Sequence, residues 1–195
     1  MHIAARPLIS SRAFPMFSKP PNPTRPAETL ATRVMGGGAA QRWLLKTEPH
    51  EWSWSDQAAN GGISNWDGVR NKQAQKNMKS MKVGDLCFFY HSGRKARCVV
   101  GVVEVVKEWY EDGGGGAVDV REVGEMRRRV GLEEMKRDEG LKGFEMFRQP
   151  RLSVVRVSEE VWVRVCEIGG GFVGDGRVDE GDLEGEVDEA GDPSS

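Results

Sequence analysis

Leu86-Cys87-Phe88-Phe89-Tyr90-His91 is the stretch whose reading decides the fold. Six residues with no Asp, Glu, Lys or Arg among them are too apolar to sit half exposed, so they read as a central strand. A turn at Val83-Gly84-Asp85 leads into it. A basic hairpin loop over residues 92–97 leads out to a valine-rich strand over 98–107, with Gly101 marking a bulge. Upstream, residues 72–81 predict a helix, because Ala74, Met78 and Met81 recur at spacings of four and three, with Lys76, Lys79 and Lys82 near one another. Residues 42–47 read as the first strand, stopped by Glu48-Pro49. Residues 51–60 read as a short helix or turn, with Ser53 or Ser55 as its cap.

Downstream, residues 109–116 form a loop ending in four glycines, and 117–123 alternate as a strand. Short helices are expected over 132–138 and 140–147, and a strand over 152–157. Ser158 caps a last helix ending at Ile168, with Glu159 and Glu160 in its first turn. No βαβ repeat appears, and the glycine run lacks the Lys-Ser/Thr that a phosphate loop needs. The expectation is an α+β fold, a small mixed sheet or barrel flanked by helices.

The chain has 195 residues and a net charge of −2, which hides an asymmetry. Residues 1–40 carry five Lys/Arg against Glu28 alone, and residues 169–195 carry nine acids against Arg177 alone. The domain between them is close to neutral, so any basic character must be local. Six prolines between Pro7 and Pro26 and the triplet Gly36-Gly37-Gly38 mark residues 1–40 as an unstructured segment, either a transit peptide or an extension upstream of a start at Met35. Residues 169–195 read as a disordered acidic, glycine-rich tail. No apolar run reaches membrane-spanning length. Cys87, Cys98 and Cys166 each lie in an apolar run and are odd in number, which suits buried thiols in a reducing compartment. They make no metal-site spacing with His2, His50 and His91, and no cofactor is expected.

Three clusters carry groups for recognition. Lys46 and Thr47, followed by Glu48-Pro49, end the first strand. Trp66-Asp67-Gly68-Val69-Arg70-Asn71 packs an aromatic ring, a carboxylate, a guanidinium and an amide into one loop. Tyr90, His91 and Ser92 end the central strand. A flat ligand such as a base wants a ring for stacking and a few convergent donors and acceptors. Trp66 supplies the ring, unless it caps the core. Asp67, Asn71 and Ser92 supply polar edges, unless Asp67 caps the following helix or pairs with Arg70. Arg70, Arg94, Lys95 and Arg97 can hold phosphates, as can Arg127, Arg128 and Arg129 unless that triplet is a solvated face. Trp52-Ser53-Trp54 reads as a hydrophobic staple for its helix, or as a second stacking surface. A nucleophile is hard to assemble: Cys87 and His91 share a strand face but stand about 13 Å apart by strand rise. A base- or nucleotide-modifying enzyme using Glu48, Asp67 or His91 is the alternative to a binding module. An adaptor acting through the acidic tail is another.

The ordered motifs Trp43-Leu44-Leu45-Lys46-Thr47-Glu48-Pro49, Trp66-Asp67-Gly68-Val69-Arg70-Asn71-Lys72-Gln73-Ala74, Met81-Lys82-Val83-Gly84-Asp85, Phe89-Tyr90-His91-Ser92, Gly101-Val102-Val103-Glu104-Val105 and Arg148-Gln149-Pro150-Arg151-Leu152-Ser153-Val154 resemble the EVE domain, most of all its plant members. The resemblance covers residues 41–168. It implies a PUA-like fold, a small bent mixed β-barrel with short helices around it. It implies a non-enzymatic module that recognises a modified base of DNA or RNA in an aromatic-lined pocket, and a nuclear address. Carried over, the pocket residues are Lys46, Thr47, Trp66, Asp67, Val69, Arg70, Asn71, Tyr90, His91, Ser92, Arg148, Gln149, Arg151 and Ser153. Many family members have a long insertion where this chain has only residues 108–117, so the basic residues at 94–97 and 127–129 would have to replace its contacts.

Overall fold

The computed structural model describes residues 5–6, 40–59, 62–94, 96–111 and 115–176. Seven strands form one mixed sheet in the order β1-β3-β6-β5-β4-β2-β7. They are β1 (Ala5–Arg6), β2 (Arg42–Thr47), β3 (Ile63–Trp66), β4 (Leu86–Gly93), β5 (Ala96–Tyr110), β6 (Ala117–Gly131) and β7 (Val154–Val157). The short helices are α1 (Trp54–Ala59), α2 (Lys72–Lys79), α3 (Leu132–Arg137), α4 (Glu145–Arg148) and α5 (Glu159–Ile168).

The α+β class and the mixed sheet with flanking helices are as expected. The sheet, however, does not close into a barrel: its hydrogen-bonded order begins at β1 and ends at β7. Strands β5 and β6 are 15 residues each, and their pairing shifts register four times. Each shift bends the ladder and raises its twist, so the sheet curves without its edges meeting. Helix α2 lies against β7 and β5. There Asn77 Nδ2 donates to the carbonyl of Val154 at 2.8 Å.

Strand β4 is central, with β5 antiparallel on one side and β2 parallel on the other. Its apolar alternation covers both sheet faces. Phe88 stacks on Trp162 of α5, with ring centroids 3.9 Å apart, and the Arg42 guanidinium lies 5.2 Å from the centre of the Trp162 ring. Phe89 faces the other way. The rings of Trp54, Trp66 and His91 all meet it edge-on, at 5.4–5.7 Å. Gly101, opposite Phe89, is required by this cluster, because a Cβ there would fall 2.4 Å from the Trp54 ring.

Beneath β2 and β4, the buried carboxylate of Asp85 accepts from Gln41 N–H, Trp43 Nε1–H and Lys82 N–H at 2.8–3.0 Å. It ties the start of β2 to the turn ahead of β4. Trp52 Nε1 donates to Gln57 Oε1, and Ser53 caps α1 by accepting from Asp56 N–H.

Two boundaries differ from the sequence expectation. Within the N-terminal segment, Ala5–Arg6 pairs antiparallel with β3; the rest of residues 1–39 lies outside the described residues. At the other end, residues 169–176 pack back on the domain instead of starting the tail. Phe172 is buried and bridges to Met126. Arg127 N–H donates to Gly171 O, Arg128 N–H to Gly169 O, and Val173 N–H to Glu125 O. Residues 177–195 lie outside the described residues.

Candidate nucleic-acid interface

Parallel pairing of β2 with β4 sets Lys46 beside Tyr90 and Thr47 beside His91. On the other side of β2, Lys46 N–H donates to Ser153 O at 2.8 Å. Ser92 Oγ donates to Thr47 O at 3.1 Å. Six polar or aromatic residues from three separated segments therefore meet at one end of the sheet. The loop ahead of β7 closes over this end, where Lys46 Nζ donates to Pro150 O at 3.2 Å. Arg148 at the end of α4 and Gln149 and Arg151 in that loop are all exposed, with Gln149 Nε2 bonded to Glu145.

Lys46 is only 5% exposed, and this carbonyl is its one acceptor among the described residues. Burial drives its ammonium pKa down to about 8. A buried cation without a carboxylate partner is costly, and an anionic or electron-rich ligand oxygen would relieve that cost. Burial likewise pushes the Tyr90 phenol up. His91 is depressed, first by burial and then by Arg129. Its Nε2 accepts from Trp54 N–H at 3.2 Å, which fixes the ring neutral with its proton on Nδ1. This histidine positions α1.

The segment 66–71 behaves differently from a simple loop. Trp66 is the last residue of β3, paired with Val118 of β6, and its ring is fully buried against Phe89. It is core and offers no open stacking face. The alternation of β3 turns its side chain inward with Ser64, while Asn65 points to the opposite face. Among the described residues its indole N–H nevertheless has no acceptor, unlike those of Trp43 and Trp52. The neighbouring Asn65 Oδ1 is also buried without a donor among the described residues, while its Nδ2 reaches Asp67 Oδ2 at 3.3 Å. Asn71 caps α2, its Oδ1 accepting from Gln73 N–H and Ala74 N–H, so it has the capping role the sequence offered to Asp67. Val69 is buried and its carbonyl accepts from Gln75. Arg70 is exposed. Sequence reasoning passed over Asn65; its only signal was adjacency to Trp66.

The expected phosphate contacts divide. Arg94 and Arg97 are exposed and make no ion pair among the described residues; Lys95 lies outside them. The triplet is engaged by acids. Arg127 pairs with Asp175 at 2.9 Å, Arg128 with Glu134 at 2.8 Å, and Arg129 with Glu125 at 3.5 Å. Lying on β6 between α3 and the returning segment 169–176, these arginines meet carboxylates from both. Among the described residues no group of His, Cys, Asp and Glu is placed to hold a metal, and no helix is long and apolar enough to cross a membrane.

A curved mixed sheet with a polar, partly buried strand end and short helices around it defines a small ligand-binding module. Residues 41–168 match the family model described as the EVE domain. The chain belongs to the EVE domain family. Thymocyte nuclear protein 1 of Rattus norvegicus is 31% identical over 170 residues, spanning 68% of this chain and 75% of the relative. The human protein of the same name is 30% identical, spanning 70% and 77%. A crystal structure of a protein from Agrobacterium tumefaciens superposes with a TM-score of 0.65 at 41% identity, covering 68% of this chain and 94% of that one. The crystal structure of human THYN1 in complex with 5-methylcytosine-containing DNA superposes with a TM-score of 0.64 at 29% identity, covering 67% and 98%.

Proposed function

We propose that this chain is a nucleic-acid-binding module that reads a modified base, without catalysis, at the end of β2, β4 and β7. The observation that carries the reading is Lys46: a nearly buried ammonium with one carbonyl acceptor, beside Thr47, Ser92 and Ser153. The arrangement suits a flat ligand rich in acceptors, held by polar groups at its edge. The human relative solved with 5-methylcytosine-containing DNA makes that base the first to test. At this strand end, among the described residues, no hydrogen bond joins a nucleophile to a base that would favour the enzyme alternative. Cys87 is fully buried with its thiol pKa raised, and His91 Nε2 is taken by Trp54.

The test is a titration of the full chain with DNA duplexes that differ only in 5-methylcytosine, 5-hydroxymethylcytosine or cytosine, at fixed salt. Tighter binding of one modified duplex is expected. Equal affinity for all three overturns base reading for these modifications. The relatives' name also supports a nuclear address. A fluorescent fusion of the full chain is expected in the nucleus, and organellar import of residues 1–34 would replace that reading.

A further inference from the structure

Helix α2 carries a basic face that no acid among the described residues neutralises. Lys72, Lys76 and Lys79 stand at spacings of four and three, which places them along one side of the helix. All three are exposed, as is Arg70 just ahead of the Asn71 cap. Among the described residues none of the four makes an ion pair, whereas each arginine of the 127–129 triplet does. The opposite side of α2 buries Ala74 and Met78. The helix is fixed in place by its cap, by Gln75 Nε2 on Val69 O and by Asn77 Nδ2 on Val154 O.

The last bond matters for location. Val154 directly follows Ser153, whose carbonyl binds Lys46 N–H. Helix α2 therefore borders the polar strand end through Asn77, and its lysines line the outward side of the same helix. Its far end is also held: the Lys79 ammonium lies 5.0 Å from the centre of the Trp109 ring. The ring itself rests on Gly116, where a Cβ would come within 2.1 Å of it. From Lys72 to Lys79 the helix rises about 10 Å, the length of about three phosphates along one DNA strand.

We infer that Arg70, Lys72, Lys76 and Lys79 form the surface that takes the phosphate backbone of DNA, with Trp109 as the positioning residue for Lys79. This rests on the proposed function and assigns its electrostatic part to α2. Contacts of this kind set affinity and register and carry no base preference.

The experiment measures binding of the full chain to modified and unmodified duplexes from about 50 to 200 mM salt, the range over which phosphate contacts show. The Lys72→Gln/Lys76→Gln/Lys79→Gln variant changes only exposed side chains. It is expected to lose affinity for both duplexes equally, with a salt slope shallower by about two to three. Arg128→Gln is expected to leave the slope unchanged. Trp109→Leu is expected to give a fraction of the triple variant's loss. An unchanged slope in the triple variant, with native circular dichroism, overturns the inference. If the wild type binds both duplexes equally, base reading fails while the slope still decides the role of α2. No binding of either duplex at low salt overturns both.

Discussion

His91 Nε2 on β4 accepts the backbone N–H of Trp54, the first residue of α1, across 37 positions of sequence. One imidazole lone pair thereby satisfies a helix N-terminal donor that would otherwise be buried and unpaired. Protonation removes the acceptor. The folded-state pKa of His91 lies below its ordinary value, so the unfolded chain takes the proton first. The stabilisation is full above about pH 6.5 and is lost as the pH falls below it. Denaturation midpoints between pH 8 and 5 should fall more steeply in the wild type than in His91→Gln. Parallel curves would show that this bond does not titrate.

Lys46 sets stability against binding. Replacing it with Met removes a buried charge and keeps most of its volume. Lys46→Met is expected to raise stability at pH 7 by about 2 kcal/mol and to weaken binding of the modified duplex at least tenfold. The folded pKa of about 8 lies below the unfolded value of 10.5. The wild type should therefore recover stability relative to the variant as pH rises from 8 to 10.5. Urea titrations at both ends of that window check the first part, and anisotropy checks the second.

Gly101→Ala tests the aromatic cluster. The added methyl meets the Trp54 ring at a distance no packing tolerates, so α1 must shift or the strand must bend. A loss of about 2–3 kcal/mol is expected, read as a lower urea midpoint. The Gly101→Ala/Trp54→Leu double variant should recover part of it; additive losses would place the strain elsewhere.

Asp85→Asn isolates the tie between β2 and β4. Three N–H donors converge on one buried carboxylate. An amide presents a donor where an acceptor is needed, and the expected cost is about 3 kcal/mol. Trp43→Phe removes one of those donors and should cost less. A thermal melt showing equal effects would contradict the shared role of Asp85.

Much of this architecture was legible in the chain, for identifiable reasons. The apolar run of β4, the helical spacing of Ala74 and Met78, and the Ser158 cap each carry a local physical signature, and each element stands where it was expected. The length of β5 and β6 was not legible, because bulges break their alternation and Trp109 and Tyr110 looked like loop. The direction of Trp66 was equally hidden. A ring at a strand end can face either way, and the choice falls to Phe89, which is remote in sequence. The polar strand end depends on parallel pairing of β2 with β4, and that pairing has no signature in either strand. Phe172 stands with Val173 in a short apolar pair between glycines, and its partner Met126 lies 46 positions away.

The bonds from residues 169–173 to β6 have a practical consequence for anyone cutting this protein down. Beyond Arg121, β6 no longer has β3 beside it, and the returning segment supplies the next row of acceptors and donors. A fragment ended at Ile168, where the family match stops, would strip that cover and leave an unpaired sheet margin beside an uncovered Met126. Such margins recruit neighbouring molecules. A fragment ended at Gly176 keeps the seam sewn and should remain monodisperse at concentrations where the shorter one self-associates.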